Sequence, residues 1–197
     1  MALPLSDASL DQLFREARSF SRYTDQPVTR AQMVAIWDLM KMGPTSTNQL
    51  PARLVWCHSS EAKSRLALHA AAGNKAKIEQ APVCVIVAMD TNFHEHLPWL
   101  FPHGNAAATF SANEELRKTS AMRNSSLQGA YLILAARSLG LDCGPMSGFD
   151  NNGVDREFLA DNPQWKSNFI CSLGYGDRNS LHPRGPRPDF DKFNTYL

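Results

Sequence analysis

The sequence predicts a β-sheet covered by helices on both faces. Three observations carry that expectation. Val83–Met89 (VCVIVAM) is apolar without alternation, as a strand shielded on both sides must be. Gly129–Ala136 is apolar all round, which a helix tolerates only where protein surrounds it, so it reads as a buried central helix. Two more short runs, Arg53–Ser59 (RLVWCHS) and Asn168–Tyr175 (NFICSLGY), have strand composition and flank the helical patterns. Together they give three central strands and about four or five helices, which 197 residues can bury as one unit.

Taken in order, Ser9–Gln12 has capping-box spacing, and Leu10, Leu13, Phe14 and Ala17 recur at helical intervals, so a first helix is expected to about Arg18. Thr29–Gln32 is a second capping box. Val28 and Met33 stand at staple positions there, Met33, Ile36, Trp37 and Met40 form one face, and Gly43-Pro44 closes the helix. The loop Thr45–Pro51 is dense in short hydrogen-bonding side chains before the first strand. Ser60–Ala72 reads as a helix ending at Gly73, after which Asn74–Lys77 leads to Pro82 and the central strand. Asp90–Ser111 has aromatics and prolines but no period, and is expected as a long surface segment of the kind that covers a pocket. Arg123, Asn124, Ser125, Ser126 and Gln128 head the central helix, either as a solvated entry or as binding groups. Arg137, Gly140 and Leu141 then supply the cation, the left-handed glycine and the returning apolar residue of a helix end. Leu141–Phe149 holds two glycines and a proline and reads as a ligand loop whose bare backbone can approach a flat molecule. Val154–Ala160 is a short helix, and the proline-rich tail HPRGPRPDFDKF is extended and too polar for the core.

Twenty basic side chains against nineteen acidic ones leave no field to hold nucleic acid or an anionic membrane, so the expected partners are small molecules or a second copy. Cys57, Cys84, Cys143 and Cys171 contain no CxxC pair, which suits a reduced, cytoplasmic protein, and the N-terminus MALPLSDASL has no signal-peptide pattern. No apolar run reaches bilayer length. Several motifs fail. Gly174-Tyr-Gly176 lacks the third glycine and the following helix of a dinucleotide fingerprint, and His94, His96 and His103 do not have metal-site spacing. Cys143 has no base nearby in sequence to make it a nucleophile.

Five motifs in order resemble the FMN-dependent nitroreductase family across nearly the whole chain. They are Arg18 in ARSFSRY, Pro44–Asn48 (PTSTN), Asn74 and Lys77 in GNKAKIEQAPV, Gly144–Phe149 (GPMSGF), and Arg187 in PRGPRPDF. Within the family, the combination of PTSTNQLPARLVW, LPWLFPHGN, RNSS and LGLDCGPMSGFD is similar to the branch that includes the malonic semialdehyde (3-hydroxypropionate) reductase. This chain departs from the wider pattern at Leu50, Ala52, Ser147 and Gly185, the last standing where many members have a phosphate-binding lysine that Arg184 or Arg22 would replace.

The resemblance implies an α+β, three-layer fold with a mixed, mainly antiparallel sheet. It also implies a single FMN-binding domain over residues 1–197, with a C-terminal arm from about 178 that wraps a partner in an intertwined homodimer. Arg18 and Arg187 would take the FMN phosphate with Thr45, Ser46 and Asn48 beside it, guanidinium forks being suited to a dianion. Lys77 would stabilise charge near N1 and C2 with Asn74 at the ring edge, and the Ser147-Gly148 backbone would meet N5. No catalytic side chain is implied. The expected activity is ping-pong hydride transfer from NADH or NADPH through N5 to a small oxidised substrate, malonic semialdehyde or, more broadly, nitroaromatics and quinones. The reading of another class is a flavin-binding or flavin-storing protein without a dedicated substrate.

Overall fold

The computed structural model describes residues 3–197, so the first two residues of the N-terminal stretch lie outside it. Helix α1, Asp7–Leu10, is capped by the Ser6 side chain and continues into a π-type turn over 11–15. The cap is therefore Ser6 rather than Ser9, and Arg18 lies beyond the helix, because residues 19–23 are drawn into extended pairing with the sheet. Helix α2, Arg30–Met40, begins at Thr29 with both hydrogen bonds of the expected capping box.

Strand β1 is Ala52–Cys57. The expected helix from Ser60 to Ala72 is two helices, α3 (Ser60–Leu68) and α4 (Ala72–Gln80). Between them Ala70 bridges Phe149, a tertiary pairing that no local propensity encodes. Strand β2, Val83–Asp90, sends Val83, Val85 and Val87 to one core and Cys84 and Ile86 to the other, as the unalternating run requires. The supposed surface segment is partly helical: a short turn at Phe93–His96, α5 (Leu97–Leu100) and α6 (Ala106–Ala112), with Phe93, Leu97 and Phe110 buried against Ala121.

Helix α7, Glu114–Ser138, starts well before Arg123, with Asn113 as its cap. It is less enclosed than expected, since Ala130 is exposed and Tyr131, Ile133 and Leu134 are half-buried. Its end matches the sequence: Gly140 has φ +78, its N–H donates to Arg137 and that of Leu141 to Ala136, both at the geometry of a Schellman close. The ligand loop begins as a strand, β3 (Asp142–Met146), before α8 (Asn151–Phe158) and β4 (Trp165–Gly174). Gly144 and Pro145 hid it, because they lack strand propensity and are held by pairing with Ser172 and Cys171. Beyond a short turn at Arg178–Ser180, the tail is exposed and carries one further turn of helix, α9 (Phe190–Phe193).

The four strands form one sheet in the order β1-β2-β4-β3, every pairing antiparallel, with β1 and β3 at the edges. Helices α2 and α7 cover one face; α3, α4 and α8 cover the other. The segment from Ser19 to Tyr23 runs beside β3, where Ser19 pairs in parallel with Cys143. Among the described residues no helix is long and apolar enough to cross a membrane.

Candidate functional site

The residues singled out in the sequence fall into three groups, each held by a different part of the fold. The first is at the far end of β3. The Gly148 carbonyl accepts from the Ala71 N–H at 2.9 Å and from Asn74 Nδ2 at 3.1 Å, and Lys77 Nζ donates to Asn74 Oδ1 at 3.2 Å. Asn74 and Lys77 are one helical turn apart on α4, which is why they share a face. A Cβ on Gly148 would lie 2.9 Å from Asn74 Nδ2 and 3.4 Å from the Ala71 methyl, so a side chain here would have to displace the Asn74 amide. Among the described residues the Gly148 N–H has no acceptor. The Ser147 carbonyl accepts from Phe149, and its side chain is exposed.

What positions this corner is the break between α3 and α4. The Asp150 N–H donates to the His69 carbonyl at 2.8 Å, completing the bridge with Ala71 and Gly148. The His69 imidazole meets Glu157 of α8 at 2.5 Å, and Arg65 Nε reaches the other carboxylate oxygen at 2.6 Å. Hydrogen bonds from His69 and then Arg65 hold the Glu157 carboxyl below the usual carboxylate range. With the folded pKa below the unfolded one, the brace is fully present above the unfolded value and is lost as pH falls through the folded one. Glu157→Gln is therefore expected to melt about 2–4 °C lower at neutral pH. In melts recorded from pH 7 downward, the gap should close only below the ordinary glutamate range, as the wild-type carboxyl takes its proton.

The second group is the polar loop before β1. The Ser46 N–H donates to Asn124 Oδ1 at 2.9 Å, Thr45 Oγ1 accepts from the Leu50 N–H, and Asn48 Nδ2 donates to the Leu100 carbonyl. Gln49, fully buried, links the Ser46 carbonyl to Ser120. Thr47, Asn48 and Leu50 all have positive φ, an unfavourable backbone that persists only because these ties over-determine it, and such strain gathers at functional loops. The sequence left Asn124, Ser125 and Gln128 between a solvated helix entry and binding. They are neither entry nor surface: all three are buried in the middle of α7, where Asn124 supports the loop and Gln128 Oε1 accepts from the Ala52 N–H. Ser120 and Gln49 were missed, and only a helix beginning at Glu114 would have drawn attention to Ser120.

The third group lies at the near end of β3. Arg18 is half-buried, with Nη2 on the His182 carbonyl; Arg184 Nη2 reaches the carbonyls of Arg15 and Ala17 at 2.6 and 2.9 Å. Each of the two guanidinium groups thus ties the tail to the stretch 15–18. Arg187 is not with them, its Nη1 spent on the carbonyls of Gly185 and Pro186 in its own tail, and Arg22 is exposed. Cys143 is a packing thiol: a hydrogen bond with Cys171 and burial push it well above its ordinary pKa. Among the described residues no cluster of His, Cys, Asp and Glu could hold a metal.

One chain brings the first and third groups together along β3. The loop of Thr45, Ser46 and Asn48 lies instead beside β1, at the opposite edge of the sheet and three strand spacings away, about 14 Å.

The model of the nitroreductase family matches residues 14–175. A Burkholderia lata protein provisionally named NADH dehydrogenase/NAD(P)H nitroreductase is 57% identical over 187 residues, 95% of each chain. A Rhodopseudomonas palustris protein of the same name is 52% identical over 191 residues, 97% of each. Among solved structures, a Bacillus subtilis nitroreductase superposes with TM-score 0.86 at 21% identity, over 98% of this chain and 100% of that one. A nitroreductase of Exiguobacterium sibiricum, solved in complex with FMN, does so with TM-score 0.82 at 20% identity over the whole of both chains.

Proposed function

The chain belongs to the nitroreductase family, and from that premise we propose that it is an FMN-dependent NAD(P)H oxidoreductase whose flavin lies along β3 and is enclosed by a second copy of the chain. The observation that carries this reading is the arrangement of groups along that strand. Arg18 and Arg184 stand at one end and Asn74, Lys77 and the free Gly148 N–H at the other. The five residues of β3 run for about 13 Å between them, within the length of an extended FMN. Bound there, FMN supplies ping-pong hydride chemistry at N5 between NADH or NADPH and an oxidised substrate.

The chain's own groups do the rest. The two guanidiniums hold the phosphate, with Arg187 free to join them only if the tail moves. Lys77, kept in place through Asn74, would supply a positive charge that favours electron density on a flavin ring bound beside it. The Gly148 N–H, without an acceptor among the described residues, would donate to the ring. Thr45, Ser46 and Asn48 reach a flavin only in a homodimer, across from the partner's β3, because their own lies at the other edge of the sheet. Met122 and Leu127, both more than two-fifths exposed on α7, and the tail from about residue 178 as an arm support the same assembly. Residues 1–197 then act as one FMN-binding domain, and the four free, buried cysteines suit the cytoplasm.

For the substrate we favour malonic semialdehyde. Three of the four segments resembling that reductase branch adjoin one another: Ser46 is tied to Asn124 and Asn48 to Leu100. The names of the relatives support a second reading, a broad reductase of nitroaromatics and quinones. The test begins with the anaerobic visible spectrum. A yellow protein whose released cofactor is FMN and whose colour fades with NADH or NADPH is expected; a colourless protein that takes up no added FMN would sink the reading. Comparing kcat/KM for malonic semialdehyde, a nitroaromatic and a quinone then decides the acceptor, and colour loss without turnover of any of them would leave a flavin-storing protein.

A further inference from the structure

A cavity of about 450 Å³ opens beside the strained loop, walled by Leu50 and by Leu100, whose carbonyl Asn48 holds. Its lining is unusually aromatic. Trp37, Trp99 and Trp165 come together there from α2, α5 and β4, and Trp99 is 79% exposed with no packing role that accounts for it. The charges in the cavity cancel. Asp90, 3% exposed, accepts from Arg53 at 2.7 Å and from the Asn92 N–H at 2.8 Å, while Arg53 also spends Nη1 on the carbonyls of Leu50 and Ala52. His96 stands 3.7 Å from the same carboxylate, and the Arg53 guanidinium lies 5.8 Å from the Trp165 ring centroid. Among the described residues the side-chain amides of Asn162 and Gln164, which line one wall, make no hydrogen bond. Flat indole faces, a neutral overall balance and two unspent carboxamides suit an uncharged heteroaromatic ring that both donates and accepts along its edge.

We propose that this cavity receives the adenine of the nicotinamide dinucleotide while the nicotinamide reacts at the flavin. The inference rests on the FMN reading above. An acceptor must touch the flavin to react, whereas adenine reacts with nothing and can be held a dinucleotide's length away, beyond the loop that Asn48 anchors. A quinone also has flat faces but only accepts hydrogen bonds, so it would leave the amide N–H groups of Asn162 and Gln164 with a partner and their carbonyls without one.

Trp99→Ala tests this without touching the core, since the side chain is mostly solvent-exposed. Steady-state rates are measured with NADH and with reduced nicotinamide mononucleotide, which lacks the adenosine. The ratio of kcat/KM for NADH to that for the mononucleotide is expected to fall about tenfold, equivalent to about 1.4 kcal/mol, through KM for NADH. In parallel, adenosine titrated into the protein as purified should quench tryptophan fluorescence, and the quench should weaken in Trp99→Ala and in Gln164→Ala. An unchanged ratio, an effect confined to KM of the acceptor, or the absence of adenosine quenching overturns the proposal. A protein without flavin oxidises neither donor, which sinks the function reading by itself and leaves adenosine quenching to decide the cavity.

Discussion

Arg18→Ala and Arg184→Ala are each expected to weaken FMN binding by about ten- to a hundredfold, and Arg187→Ala by much less. The magnitude follows from losing one charge-assisted hydrogen-bonding fork to a dianion, about 1.5–3 kcal/mol. The order among the three follows from geometry. Arg184 Nη2 sits on the carbonyls of Arg15 and Ala17, and Arg18 is anchored on the His182 carbonyl, so each guanidinium bridges the tail and the stretch 15–18 that leads to the segment beside β3. Arg187 folds back on Gly185 and Pro186. The measurement is an FMN fluorescence titration of flavin-free protein, repeated with riboflavin, which lacks the phosphate. Riboflavin affinity should be nearly the same in all three variants, and that separates a lost phosphate contact from a displaced tail. A large loss confined to Arg187→Ala would return the phosphate to the late arginine that the sequence resemblance favoured, and would mean that the tail swings inward when FMN binds.

How far the fold was legible in the sequence differs from element to element. Where structure is dictated by neighbours in the chain, the sequence pattern and the structure agree to the residue: the Thr29–Gln32 capping box and the Arg137–Leu141 helix end both depend on bonds spanning four to six positions. The unalternating β2 was legible because the burial of both faces is written in its composition. What failed depended on distant partners. The interruption between α3 and α4 exists because Ala70 pairs with Phe149, and it is this break that carries Asn74 and Lys77 to Gly148. Strand β3 contains a glycine and a proline that argue against a strand, and pairing with β4 overrides them. The first half of α7 was hidden because its inward positions are polar. Ser120, Asn124, Ser125 and Gln128 are buried but serve the neighbouring loop and β1, so the apolar stripe that marks a helix begins only after them. The candidate residues were recognisable as types; their grouping into three clusters at two edges of the sheet was not.

The same chemical change at two glycines should have opposite effects. At Gly144 an added Cβ would lie 2.3 Å from the Phe20 carbonyl oxygen, 2.5 Å from Ser172 Oγ and 2.8 Å from the Tyr23 hydroxyl. The nearest of these is backbone, so Gly144→Ala must push the segment from Ser19 to Tyr23 off β3. That strains the Phe20 N–H bond to the Cys143 carbonyl and the Tyr23–Ser172 hydrogen bond, and it loosens Phe20, which is 2% exposed. Overpacking of this kind costs about 3 kcal/mol, which for a chain of this length lowers Tm by about 6–12 °C. At Gly73, in the first turn of α4, nothing lies within 4 Å of the added atom and φ is not in the left-handed region, so Gly73→Ala should stabilise slightly, by about 0.4 kcal/mol. Thermal melts of the two variants check the signs. The pair also bears on function, because the segment displaced by Gly144→Ala carries Arg18 at its head. At temperatures where that variant is still folded, its FMN affinity should already be reduced, whereas Gly73→Ala should bind FMN as the wild type does. If Gly144→Ala melts early yet binds FMN normally, Arg18 keeps its place without the support of β3, and the phosphate contact is independent of the strand along which the flavin is proposed to lie.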